Sequence, residues 1–128
     1  MSTIHDLATI CASQKLWFHV AHLNVTGPQF GPLHKQYGDI YEMFDGWFDK
    51  FAERARACGE RFDPSDIEVG GPIKSGDFLQ LATGKLKDIT KECEPTLKDL
   101  SDDLVSQNMA MGFFEDVAKQ QWMLNSST

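Results

Sequence analysis

Apolar residues at Ile4, Leu7, Ala8, Cys11, Phe18 and Ala21 follow approximate three- and four-residue steps, the spacing that lines one face of an α-helix. Thr3-Ile4-His5-Asp6 resembles a capping box, in which side chains cover the first free backbone amides. The pattern predicts a helix over 3–23. Asn24-Val25-Thr26-Gly27-Pro28 ends it, because glycine and proline interrupt helical backbone. Pro32 suits the start of a second helix. Leu33, Tyr37, Ile40, Tyr41, Phe44, Trp47, Phe48 and Phe51 then form the strongest amphipathic pattern in the chain. That helix is expected to reach Cys58, with Gly59 as its C-terminal cap.

Residues 60–76 hold two prolines and three glycines without a helical period, and predict a connector with a short element at Ile67-Val69. Helical spacing resumes at Leu79, Ala82, Leu86, Ile89, Cys93, Leu97 and Leu100, passing through Pro95. An interior proline removes a hydrogen bond and clashes with the preceding turn, so this helix is expected to kink or split at Pro95. Ser101-Asp102-Asp103 restarts the chain as a last helix. Val105, Met109, Phe113 and Val117 are expected to carry its apolar face, with Trp122 and Leu124 near its end. No strand pattern or internal repeat appears. Four helices with short links predict an all-α four-helix bundle, and 128 residues predict one domain spanning 1–128.

Charge narrows the choice of function. A formal net charge of -7 and a pI near 4.9 disfavour binding to DNA or an anionic membrane, both of which need a basic face. They are compatible with cation binding. Lys85, Lys87 and Lys91 could form only a local basic patch. Cys11, Cys58 and Cys93 are odd in number and widely spaced, so they predict buried thiols in a reducing cytosol. No signal peptide is expected before Ile4, and no apolar run approaches membrane-spanning length, so the expected location is cytoplasmic. The sequon at Asn24-Val25-Thr26 is then a chance match.

The candidate chemistry lies in HVAHLNVTGPQFGPLH at 19–34, which holds three of the four histidines. His34, Gly38, Glu42, Asp45, Asp49 and Glu53 fall in one band of the second helix, roughly 100° wide. Five of these six positions carry metal-binding groups and none carries Lys or Arg. A solvated acidic face is one reading. The other is a metal site, because such a face usually mixes charge signs at four-residue spacing. His34 and Glu53 are equally far from the point between Met43 and Phe44, as are Gly38 and Asp49. Two copies packed antiparallel about a two-fold axis there would bring His34 of one to Glu53 of the other, the self-complementary contact of a homodimer. The returning loop can bring His22 to the same place. Mixed imidazole and carboxylate ligands suit iron, with zinc or manganese as rivals. His19 fits a helix-end histidine outside the site, and His5 is expected to be exposed in the first turn.

Beyond these patterns, the chain resembles the Dps-like mini-ferritins of the ferritin-like superfamily. The likeness rests on AHLNVTGPQFGPLH at 21–34, matching a histidine, Asn-x-x-Gly-x-x-Phe and a second histidine, and on DKFAERARACG at 49–59. WML at 122–124 is a weaker match. The resemblance implies twelve-subunit shells of four-helix subunits that oxidise Fe(II), often with hydrogen peroxide, and store Fe(III). It also implies ferroxidase sites at two-fold interfaces, with His22 and His34 from one subunit and Asp49 and Glu53 from its partner. The sequence departs from this pattern at Gly38, where the family usually has an aspartate, and at Leu23, where it usually has tryptophan. Asp39 points about 100° away, so the alternatives are a weakened site, one rearranged around Glu42 or Asp45, or one partly lost. With a helix expected from Thr3, the basic tail that often carries DNA binding is not expected. The connector at 60–76 also looks short for the family's small interfacial helix.

The expected function is therefore a ferroxidase and iron-storage homo-oligomer that protects against iron and peroxide stress. The alternatives are a non-catalytic shell protein whose metal site has decayed at Gly38, and a metal-dependent enzyme acting on a small molecule. The last would need a pocket within one chain.

Overall fold

The computed structural model describes residues 3–68 and 78–126. Helix α1 spans Thr3–Asn24, α2 Phe30–Ala57, α3 Phe78–Lys91, α4 Cys93–Asp99 and α5 Leu104–Asn125, with a one-turn 3₁₀ helix at Pro64–Asp66. No strand occurs among the described residues. The expected boundaries of the first two helices hold to within two residues. Gly59 takes a positive φ of 96° just beyond α2, and Glu60 N–H reaches back to the Ala55 carbonyl. This is the left-handed exit that glycine favours.

The third bundle helix is split into α3 and α4. Pro95 has no amide to offer the Lys91 carbonyl, and its ring crowds that position, so the break falls at Glu92, before the proline. Glu92 N–H turns to the Ile89 carbonyl in a tighter 3₁₀-type bond, and Pro95 sits in the first turn of α4, where its missing donor costs little.

Side-chain contacts fix the helix directions. Along α1 and α2, His22 meets His34, Phe18 meets Phe44 and Lys15 meets Asp45, so the two are antiparallel. Arg54 meets Asp103 and Trp47 meets Asp116, so α5 opposes α2. Trp17 packs on Phe78, while Leu7 and Ile89 line one cavity near the other end of the bundle, so α3 opposes α1. It follows that α2 and α3 run the same way. A short hairpin cannot join parallel helices, and the chain must return along the bundle over about 30 Å. Residues 58–68 are the described part of that crossover. Phe62 stacks on His5, Asp66 lies 3.5 Å from His5, and Ser13 donates to the Glu68 carbonyl, tracing the connector up α1.

The crossover corrects the expectation for His5, which is 3% exposed instead of open to solvent. The expected element at Ile67-Val69 is absent where it can be described: Ile67 only caps the 3₁₀ turn, and Val69 lies outside the described residues. Among the three cysteines, Cys11 is buried, Cys93 partly so, and Cys58 is exposed where α2 ends and the chain leaves the bundle.

Phe18, Tyr37, Ile40, Phe44, Phe51, Leu86, Phe113 and Leu124 are fully buried. On α5 the buried face is Ser106, Ala110, Phe113, Phe114, Val117 and Leu124, whereas Val105 and Trp122 are exposed. Ser106 replaces Val105 because its hydroxyl donates to Asp103 and accepts from Arg54 Nε at 3.0 Å. A hydrogen-bonded serine can be buried at little cost.

Candidate metal site

The histidine loop is built from its backbone. Val25 N–H extends α1 by one bond to the Ala21 carbonyl, and Val25 is buried. Gly27 turns the chain at a φ of 100°, where a side chain would be strained. Phe30 N–H closes on the Gly27 carbonyl, and α2 begins. His22 in the last turn of α1 and His34 near the start of α2 then stack, with ring centroids 3.8 Å apart and planes 19° apart.

The two rings hold each other through the backbone. His22 Nδ1 donates to the His34 carbonyl at 2.6 Å, and His34 Nδ1 donates to the His22 carbonyl at 2.7 Å. A carbonyl oxygen only accepts, so each Nδ1 carries a proton, and the neutral form of each ring would keep its lone pair on Nε2. Metal-binding histidines are commonly oriented this way by the hydrogen bond of the other nitrogen. The bond from His34 also occupies a carbonyl that lies beyond the reach of further helical amides at the end of α1. Lone pairs lie in the ring planes. Planes only 19° apart do not converge, so in this arrangement the two Nε2 lone pairs do not meet at one ion near both rings.

Aromatic rings enclose the pair. Phe30 stacks on His34 at 4.9 Å, and Tyr41 lies 5.5 Å from His22. Tyr41 also stacks on His19 at 4.3 Å, so His19 has an aromatic partner outside the pair. Neither Phe30 nor Tyr41 belongs to the ligand set that the sequence predicts, yet their positions, four residues before and seven after His34, place them on its helix face.

Asp49 and Glu53 are exposed on the same polar band of α2, and neither is ion-paired among the described residues. They are about 22 and 28 Å along the helix from His34. No cluster of three or more metal-binding side chains forms among the described residues. One chain therefore brings the histidines together and leaves the carboxylates apart from them. The acidic substitutes are less available than sequence spacing implies. Lys15 from α1 pairs with Asp45 at 2.8 Å, and Lys35 holds Asp39 at 2.9 Å. Glu42 remains exposed on the band.

An antiparallel four-helix bundle with one long crossover is the ferritin-like architecture. The ferritin-like domain model matches residues 12–127. The chain is 28% identical over 120 residues to DNA protection during starvation protein 2 of Bacillus anthracis, covering 84% of this chain and 82% of that protein. Its fold matches Dps from Staphylococcus aureus with a TM-score of 0.87 at 21% identity, over 98% of this chain and 91% of that one. It also matches Dps from Microbacterium arborescens, determined in a high iron form, with a TM-score of 0.87 at 19% identity, over 98% and 89% of the two chains. The chain belongs to the ferritin-like domain family and is a Dps-like mini-ferritin. No helix among the described residues is long and apolar enough to cross a membrane.

Proposed function

We propose that this protein is the subunit of a cytoplasmic iron-storage shell of twelve copies that oxidises Fe(II) at sites shared between two subunits. His22 and His34 come from one subunit, and Asp49 and Glu53 from its partner. The observation that carries this reading is the reciprocally held histidine pair between α1 and α2 with both Nε2 atoms free, while the unpaired Asp49 and Glu53 of α2 lie too far away to complete the site within one chain. The mirrored spacing of His34 and Glu53 along α2 supports antiparallel pairing of two copies. At the level of the family, a ferritin-like domain and a relative named for DNA protection during starvation support iron storage and protection.

Iron is the substrate. Neutral imidazoles and carboxylates would hold Fe(II) together, and the carboxylates would offset the charge that rises on oxidation. Each Fe(II) gives up one electron. Hydrogen peroxide takes two, its O–O bond breaking to leave two oxygens at the level of water. Acidic side chains facing the lumen would then collect the Fe(III).

Subunit complementation tests the shared site. His34→Ala and Glu53→Ala, each as a pure assembly, are expected to slow peroxide-driven Fe(II) oxidation about tenfold or more, at least the loss seen when only a ligand's supporting partner is removed. When the two variants are unfolded together and reassembled, mixed pairs regain one intact site. A random mixture should recover about a quarter of the sites, given two equivalent sites per two-fold pair. No recovery would place the ligands within single chains. Wild-type oxidation no faster than that in protein-free buffer would assign the protein to the non-catalytic shell reading.

A further inference from the structure

We propose that Gly38 is a positioning residue for the iron site: its missing side chain gives the His22 ring access to the His34 carbonyl, so a carboxylate at 38 would disrupt the histidine pair instead of completing the site. This rests on the reading of His22 and His34 as iron ligands.

In an α-helix each Cα–Cβ bond tilts toward the N-terminus, so the side chain four residues on lies beside a given carbonyl. For the His34 carbonyl that residue is Gly38. The carbonyl has a second lone pair, and His22 Nδ1 reaches it at 2.6 Å. A Cβ built on Gly38 would stand 3.1 Å from both Nδ1 and Cε1 of His22, and the ring would have to give by a few tenths of an ångström. It has little room to do so. His34 stacks on one face at 3.8 Å, and Tyr41 and His19 are further ring neighbours at 5.5 and 6.2 Å. Movement away from position 38 lengthens the bond to the His34 carbonyl or presses on the stack. Gly31, Gly46 and Gly84, also helical, would place a Cβ in open space, and Gly112 is confined by Trp47 instead, so only Gly38 among the helical glycines makes room for a histidine ring. A glycine inside a helix weakens it relative to alanine. Here that cost secures the orientation of a ligand.

The sequence alone suggests that Gly38→Asp should tighten iron binding by restoring a ligand. The packing predicts the reverse. Loss of a ligand's supporting hydrogen bond lowers metal affinity about 10–100-fold, so Gly38→Ala should weaken Fe(II) binding by roughly tenfold or more without removing any ligand. Gly38→Asp should also bind less tightly than wild type. Gly84→Ala is the control for a general effect on helix stability.

The experiment is NMR of metal-free assemblies carrying ¹⁵N-labelled histidine, followed by anaerobic Fe(II) titration. The expected wild-type spectrum has His22 and His34 both protonated at Nδ1 in short hydrogen bonds. His22 should lose that signature in Gly38→Ala and keep it in Gly84→Ala. A wild-type His22 protonated at Nε2 instead would overturn the proposal even if every variant failed to fold. So would an unchanged His22 signal in Gly38→Ala, or tighter Fe(II) binding by Gly38→Asp. If wild type shows the histidine signature but binds no Fe(II), the iron reading falls and the packing role of Gly38 stands.

Discussion

Phe113 is where the core depends most on one side chain. It is fully buried, with its ring centroid 5.3 Å from Phe51, 5.9 Å from Trp47 and 6.1 Å from Phe44. The small neighbour Gly112 keeps Trp47 close, because a Cβ there would meet the indole at 3.1 Å. Asp116 fixes the indole from the same helix, accepting its N–H at 2.9 Å. Removing the Phe113 ring would leave a void between α2 and α5 that these rigid aromatics fill poorly. Phe113→Ala is expected to destabilise the protein by about 3–5 kcal/mol, read as a lowered unfolding midpoint in denaturant. A loss below about 1 kcal/mol would mean that the cluster collapses onto the space. Tyr37 is also fully buried, and burial pushes its phenol up to about 12, so it stays neutral at physiological pH.

At the scale of elements, the start of α5 joins two helices through one carboxylate. Asp103 accepts from the Ser106 hydroxyl and amide, capping the helix, and receives Arg54 of α2 at 3.0 and 3.1 Å. The Ser106 hydroxyl, then its amide, then Arg54 hold the Asp103 carboxyl below its ordinary 3.8. A depressed folded-state pKa gives stability that is present above the unfolded value and lost as pH falls through the folded one. Asp103→Asn keeps a capping oxygen but loses the charge. Its melting temperature is expected to lie below that of wild type near neutral pH. The gap should close as pH drops below about 4, the range in which free carboxylates protonate. Thermal unfolding of both proteins across that range is the measurement, and a gap independent of pH would show that the charge contributes nothing. The sequence marked this helix start correctly through Ser101-Asp102-Asp103, but it could not show that Arg54, far away in the chain, would share the cap.

For the whole molecule, the unfinished surface lies around the histidine pair. Leu23 is 64% exposed and Phe30 45% exposed beside it, and the acidic band of α2 continues along the same helix. A second copy would close this surface, covering the apolar residues and bringing the carboxylates to the imidazoles. Light scattering should therefore report a particle of about twelve times the 14.4 kDa chain mass. A monomer at micromolar concentration, with and without Fe(II), would contradict both the shell and the shared site.

The local code determined much of this protein. Three- and four-residue apolar steps set the first two helices, because burial rewards a continuous face whatever its partner. Gly27, Gly59 and Pro95 marked their turns through backbone sterics that act within a few residues. His22 and His34 could be paired from the loop between them, since a short loop returns the chain beside itself. Other outcomes depended on contacts distant in sequence. The crossover buried His5, Arg54 made Ser106 a core residue in place of Val105, and Lys15 paired with Asp45 from another helix. Gly38 shows the difference most clearly. In the sequence it is a missing carboxylate, whereas in the fold the space it leaves is occupied by the ring of His22. A one-dimensional pattern records which side chain is absent, but only packing decides what fills its place.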